Sequence, residues 1–259
     1  MRKTDFSPLP ERKQLLYEQM ARSYRTQERQ KNTPWAPFEK RLIESKIAVI
    51  SIAGAYLNGQ KPFTNRETES DYQCREIPLN FNREDLRFFA TDWEPSEALA
   101  DYNVVLPIDR LVLLQKEGMI GKIHETIISI AGFTKSIKMF GKFLTKTYDI
   151  LKKAEVDGVL ILPCSAQTSA AACQVANYLE KKELPTVILT TFYEQALALA
   201  PPRCAFINFP FGRPFGKANH VTLHTAILRD TLRLFEKAKT PGEVICLSYI
   251  WSFGTVPNW

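Results

Sequence analysis

The sequence predicts an α/β fold in which a mostly parallel sheet carries helices on both faces. Short apolar runs alternate with helical segments, most regularly in the second half of the chain. These runs are apolar at consecutive positions, which is typical of strands buried on both sides. With 259 residues, of which 45% are hydrophobic, the chain is long enough to bury a core without disulfides or metals.

The first half begins with a basic helical arm over residues 1–45. Leu15, Met20 and Tyr24 are its apolar positions, so we expect a helix that lies on the body and ends near Gln30. A strand ending at Gly54 follows. The predicted elements of this half, in order, are a helical piece at 38–45, a strand at 47–53, a loop at 57–74, a strand at 86–90, an extended segment at 104–107, a helix at 108–116 and a strand at 126–131.

The second half alternates more clearly. Its predicted elements are a helix at 136–154, a strand at 158–163, a helix at 168–182, a strand at 186–190, a helix at 192–199, a strand at 205–209, a helix at 221–238 and a strand at 244–247. Such alternation requires right-handed crossovers and indicates a three-layer Rossmann/flavodoxin-like fold. Residues 46–259 form the body, which could divide into lobes at 46–135 and 136–259.

Charge and cysteine usage exclude several classes of protein. Residues 1–46 carry eleven Lys/Arg and six Asp/Glu, so the arm holds +5 of the net charge of +6 and the body is nearly neutral. Nucleic-acid binding is therefore not expected of the body, although the arm could contact nucleic acid, an acidic partner or a partner subunit. Five cysteines without a CxxC spacing argue against disulfides and zinc.

The expected location of the chain in the cell follows from its cysteines, charges and apolar segments. Free thiols, a charged start and the lack of a long apolar segment predict a cytoplasmic protein that is not bound to a membrane. The segment after the first strand lacks a GxGxxG pattern, so no dinucleotide or other cofactor is expected.

The best candidate active centre is the junction between the strand at 158–163 and the following helix. Ligands of parallel sheets bind beyond the carboxyl ends of the strands, where a helix N-terminus favours an anion. A thiol at Cys164 would have a lowered pKa there and would be a stronger nucleophile. Ser165, Thr168 and Ser169 add hydroxyl groups, and Gln167 lies between them. The alternative is a capping serine beside a buried cysteine.

Other candidate residues follow the remaining strands. Gly54 and Asp92 each end a predicted strand, and Arg213 lies in a loop of glycine and proline that could present its guanidinium to a carboxylate. An arginine on a structural turn is the alternative. His220 and His224 have a spacing used by some zinc sites, but no acidic third ligand accompanies them, so we expect no metal site.

Several segments together resemble the glycine/sarcosine/betaine/D-proline reductase selenoprotein B family. The segments that carry the resemblance are AVISIAG (48–54), PF (62–63), REIP (75–78), NVVLPIDRL (103–111), EGMIG (117–121), VDGVLILP (156–163), PPRC (201–204), FPFGRPFG (209–216) and PGEV (241–244). The resemblance covers residues 45–250 and leaves the arm outside.

The resemblance implies an oxidoreductase in which a selenocysteine attacks the substrate carbon, with a dithiol as electron source and, in some members, a pyruvoyl-bearing partner chain. It places that selenocysteine at Ser165, a much weaker nucleophile. Three hypotheses follow. Cys164 replaces the selenol in a reductase acting on a small amine or carboxylate; Asp92, Ser165 and Arg213 bind a small acid in non-redox chemistry; or the chain is a binding or partner subunit, with homo-oligomers open.

Overall fold

The computed structural model describes residues 3–7, 10–64, 74–90, 92–132 and 137–251. Its strands are β1 (Lys46–Ile52), β2 (Ala55–Leu57), β3 (Arg75–Pro78), β4 (Leu86–Phe88), β5 (Lys122–Ile123), β6 (Thr126–Ser129), β7 (Gly158–Pro163), β8 (Thr186–Thr190), β9 (Arg203–Phe206) and β10 (Glu243–Cys246). Its helices are α1 (Glu11–Thr26), α2 (Ser96–Ala100), α3 (Ile108–Lys116), α4 (Ile137–Lys153), α5 (Ala166–Glu180), α6 (Tyr193–Leu199), α7 (Val221–Leu232) and α8 (Leu234–Lys237).

Among the described residues, eight strands form one sheet in the order β10-β9-β8-β7-β1-β6-β3, with β5 also paired to β1. All pairings are parallel except that of β3 with β6, while β2 and β4 form a separate antiparallel pair. The longest pairing is that of β1 with β7, from Ile47 opposite Gly158 to Ile52 opposite Pro163. The predicted mostly parallel α/β fold is confirmed.

Helices cover both faces of the sheet and make two apolar cores. Alternate residues of β1 serve the two cores: Ile47 and Val49 face the side of α1, α3, α7 and α8, whereas Ile50 and Ile52 face α4 and α5. Each central strand is therefore buried on both faces, which explains its uninterrupted apolar sequence. No helix in the described part of the chain is both long enough and apolar enough to span a membrane.

Some elements differ from the sequence-based expectation. The prediction of an extended segment at 104–107 is wrong, because Tyr102–Val104 forms a 3-10 turn. The turn starts where the Asp101 side chain accepts a hydrogen bond from Asn103 N at 3.0 Å. The helical piece predicted at 38–45 reduces to a 3-10 turn at Leu42–Glu44. The loop predicted at 57–74 contains residues 65–73, which lie outside the described residues, as does the predicted helix start at 136.

The arm packs through α1 and the segments on either side of it. Tyr17 and Ala21 are its buried helical positions, whereas the expected anchor Leu15 is 60% exposed. Glu194, at the start of α6, binds both flanks of α1: Thr4 Oγ1 donates to its carboxylate at 2.7 Å, and Arg25 Nη2 does so at the same distance. One buried carboxylate thus fastens the two ends of α1 to the body.

A buried ion pair joins the last turn of α5 to the first residue of β9. Arg203 Nη1 lies 2.7 Å from Glu180 Oε1, and both side chains are at most 1% exposed. Glu180 also accepts from Thr186 N and Ala36 N, and the Arg203 guanidinium donates to Ala36 O and stacks 3.7 Å above the Trp35 ring. Desolvation raises the pKa of Glu180, and the charge of Arg203 opposes that rise. Through Trp35 and Ala36, the pair fixes the segment that joins α1 to β1.

We expect Glu180→Gln to destabilise the fold by about 3–5 kcal/mol, because Arg203 would remain charged and buried without its partner. The free energy of unfolding in urea measures this. Glu44→Gln is the matched control: its carboxylate pairs with Arg41 at the surface, where solvent screens the interaction, so its loss should cost far less. Equal costs for the two changes would contradict the prediction.

Candidate functional site at the carboxyl end of the sheet

The junction between β7 and α5 is a closed hydrogen-bond arrangement. Ser165 is the N-cap of α5, and its hydroxyl accepts from Thr168 N at 3.3 Å. Thr168 Oγ1 in turn accepts from Ser165 N at 2.8 Å and from Cys164 N at 2.9 Å, and donates to Ser165 O. This capping box starts the helix at Ala166, two residues before the predicted start. The backbone amides of Cys164, Ser165 and Thr168 are therefore satisfied within the chain.

Asp92 is the acidic residue that reaches the junction. Its Oδ2 lies 3.4 Å from Gln167 N, in the first turn of α5, and its carboxylate also accepts a hydrogen bond from the Ser165 side chain. Burial raises the pKa of Asp92, and these two hydrogen bonds oppose the rise. The structure thus brings together Asp92, Ser165, Gln167 and Thr168, with the hydroxyl of Ser165 joining the carboxylate to the cap.

Cys164 lies beneath this surface rather than on it. Its side chain is 1% exposed, its Sγ is 3.8 Å from Ile52 O, and its carbonyl accepts from Gly212 N at 2.6 Å. Burial raises the pKa of the thiol well above its ordinary value, and the charge of Asp92 adds to the rise. The direction is opposite to the lowering expected at a helix N-terminus. At neutral pH Cys164 is a protonated thiol.

Two further predicted residues have structural contacts. Ser169 Oγ is 3.0 Å from Thr190 Oγ1, at the end of β8, so its hydroxyl faces the neighbouring strand rather than the junction. Gly54 adopts φ +66°, and a Cβ there would lie 2.7 Å from Phe89 O. The close approach of the 86–90 segment therefore explains why position 54 is a glycine.

Arg213 extends over the loop side of the site. Its guanidinium lies 3.4 Å from Glu94 and 3.9 Å from Glu97, and stacks over the Trp251 ring at 5.8 Å. The Arg213 loop reaches Cys164 through its neighbour Gly212, which has φ +80° and lies against Trp93. Arg213 is engaged by carboxylates of the α2 region and is 25% exposed, so a ligand carboxylate would compete with them.

Tyr17 of α1 is a site neighbour that the sequence pattern does not reveal. Its hydroxyl donates to the backbone carbonyl of Asp92 at 3.1 Å. Burial and the nearby Asp92 charge raise the pKa of Tyr17 to about 12. The signal that could have indicated it is the helical spacing of Tyr17, Ala21 and Tyr24, which defines the inner face of the arm better than Leu15 does.

The two histidines at the start of α7 lie in different environments. His224 is fully buried and its Nε2 is 2.8 Å from Lys217 O, whereas His220 caps the helix start. Among the residues that the structure describes, no group of three or more His, Cys, Asp or Glu side chains could hold a metal ion.

Comparison with known proteins identifies relatives of this chain. The family model described as glycine/sarcosine/betaine reductase selenoprotein B matches residues 13–164. The match begins inside the arm, so the expectation that the arm lies outside the resemblance is wrong. It ends at Cys164, directly before Ser165. The curated relatives extend the similarity to as much as 83% of the chain. No solved structure matches the chain significantly.

The relatives differ in how much of their length the chain covers. D-proline reductase subunit gamma of Acetoanaerobium sticklandii is 24% identical over 83% of this chain and 88% of its own length. Glycine reductase complex component B subunit gamma of Symbiobacterium thermophilum is 25% identical over 70% of this chain. Betaine reductase complex component B subunit beta of Peptoclostridium acidaminophilum is 26% identical over 47%. The chain spans 43% and 29% of the latter two proteins.

We expect the stability difference between Asp92→Asn and the unmodified protein to depend on pH. Because the folded-state pKa of Asp92 is raised, the folded protein loses stability as pH rises through that value, and the uncharged amide does not. The free energy of unfolding should therefore shift in favour of Asp92→Asn between about pH 3.5 and pH 7. A difference that stays constant over this range would show that burial does not penalise the carboxylate.

Proposed function

The chain belongs to the glycine/sarcosine/betaine reductase selenoprotein B family, and from this premise we propose that it is one subunit of a reductase complex. The observation that carries the proposal is the family match over residues 13–164, which contains most of the arm, β1 and β7 and ends at the junction. Several of its relatives are named as subunits of such complexes. The substrate class we propose is a small molecule that carries an amine or a carboxylate.

The proposed reaction is the reductive cleavage of a C–N bond. A dithiol loses two electrons and two protons and becomes a disulfide, while the substrate gains them as a new C–H and a new N–H bond. The junction of this chain would contribute binding groups: the Ser165 hydroxyl, the Asp92 carboxylate and the exposed side chain of Gln167. These groups lie beyond the carboxyl end of β7, the usual ligand position in parallel sheets.

The geometry favours a redox group held by a partner subunit. Ser165 carries the oxygen of an alcohol, which does not form a disulfide or accept electrons, and Cys164 is buried and protonated. We therefore assign to this chain the positioning of the substrate or of the partner, and to the partner the thiol or selenol that reacts. Dithiol reductant would then act on the partner.

Ser165→Ala tests this assignment in the assembled complex. The tagged chain, purified from its natural source, should bring reductase subunits that mass spectrometry identifies. Dithiothreitol-dependent release of ammonia from glycine or of trimethylamine from betaine, or opening of the D-proline ring to a primary amine, should fall at least about tenfold in the variant, with assembly unchanged. Ser169→Ala, whose hydroxyl faces Thr190 on the same helix, is the matched control and should retain activity.

The proposal fails if the purified chain carries no reductase subunit. If Ser165→Ala keeps full turnover and loses only about 1 kcal/mol of stability, Ser165 serves as a helix cap and does not take part in the reaction.

A second candidate is that Cys164 itself replaces the selenol. One observation favours it: Cys164 lies one residue before the position at which the resemblance places the selenocysteine. Its burial means that the thiol would have to become accessible when the complex forms, through movement of the segment bearing Gly212 or of the arm.

Alkylation separates the two candidates. In the isolated chain at about pH 8, iodoacetamide should modify the half-buried Cys74 and Cys246 well before Cys164, since a buried protonated thiol reacts slowly. Peptide mapping by mass spectrometry measures each site. Rapid modification of Cys164 in the complex with its substrate, and loss of turnover in Cys164→Ala, would instead support Cys164 as the redox thiol.

A further inference from the structure

A cavity of about 480 Å³ lies between β4, α2 and the first turn of α3. Its floor is the 3-10 turn at Tyr102–Val104 and the first turn of α3, and one wall is apolar, formed by Leu86 and Phe88 of β4. Leu99 of α2 stands at the mouth and is 65% exposed. The cavity therefore combines a polar floor with an apolar side.

The carboxylates of the floor are already satisfied. Asp109 accepts from Arg83 Nη2 at 2.6 Å and from Asn103 Nδ2 at 3.0 Å. Asp101 accepts from Asn103 N and Nδ2 and from Asn219 N, each within 3.0 Å. These acidic groups consequently have little capacity left for a cationic ligand.

Arg110, unlike these carboxylates, has few hydrogen-bond partners among the described residues. Its side chain is 13% exposed, and its Nη2 lies 3.5 Å from Asp101 Oδ2, the one polar contact of this guanidinium that the described residues provide. Its Nε is buried without a hydrogen-bond partner. A guanidinium has five N–H donors, so the Nη groups of Arg110, which lines the cavity, keep donors beyond the one near Asp101. An acceptor with two oxygens side by side would complete them.

We propose that this cavity binds a small organic monocarboxylate, with the carboxylate on the Nη atoms of Arg110 and the apolar part against Leu86 and Phe88. Glu84, Asp101 and Asp109 outnumber Arg83 and Arg110 in the lining, so the net charge opposes a dianion such as phosphate more strongly than a monocarboxylate held by Arg110. The apolar wall favours a carboxylate with at least a short hydrocarbon chain over an inorganic anion. This site does not depend on the function proposed above.

Titration of the intact chain with sodium propionate at constant ionic strength tests the site. Isothermal calorimetry should show saturable binding with one site per chain. Arg110→Lys should raise the dissociation constant at least about tenfold, because an ammonium cannot form the two parallel hydrogen bonds of a guanidinium. Arg229→Lys is the matched control: Arg229 pairs with Glu117 outside the cavity and should leave binding within about twofold.

Leu99→Glu is a second variant, and it should not affect folding because the side chain of Leu99 is exposed. The added negative charge should weaken propionate binding several-fold, and this loss should diminish as salt screens the repulsion. Absence of saturable binding below about 20 mM, equal binding by Arg110→Lys, or phosphate binding as tight as that of propionate would each overturn the proposal. None of these outcomes bears on whether the chain joins a reductase complex.

Discussion

The parallel pairing of β1 with β7 determines where the chemistry of this chain can lie. Six consecutive residue pairs join the two strands, and both are buried on both faces between α3 and α7 on one side and α4 and α5 on the other. Parallel strands end at the same edge, so the turns at Gly54 and Ser165 meet there. The segment bearing Asp92, the α1 helix and the Gly212 loop then close around that edge.

Because this edge is closed, the polar groups and the thiol found there differ in burial and in protonation state. The polar surface formed by Asp92, Ser165 and Gln167 lies above a thiol that the apolar core keeps protonated. Desolvation decides the state of Cys164, because the stabilisation that a helix N-terminus offers to a thiolate is smaller than the cost of burying its charge. The candidate site therefore presents a carboxylate, a hydroxyl and an amide to a ligand, while its thiol lies beneath them.

Local pattern was sufficient for most of the fold, whereas the place of the site stays a prediction. The strand at 158–163 and the helix at 108–116 have the predicted bounds because a continuous apolar run and a helical period are local properties. The turn at Tyr102–Val104 and the pKa of Cys164 depend on partners distant from regular elements or distant in sequence. The aromatic rings of Phe6, Phe192 and Phe211 meet in the same core from three separate segments, which no local window contains.

The carboxylate of Glu194 has a consequence for how the chain folds during synthesis. Its bond to Thr4 joins residues 190 positions apart, and its bond to Arg25 spans 169. The arm leaves the ribosome before the body, and its docking carboxylate and Phe192 emerge well over a hundred residues later. Until then the apolar side of α1 remains uncovered, a state prone to aggregation. Translation speed and chaperone binding should thus affect the yield of this protein more than the modest length of its arm suggests.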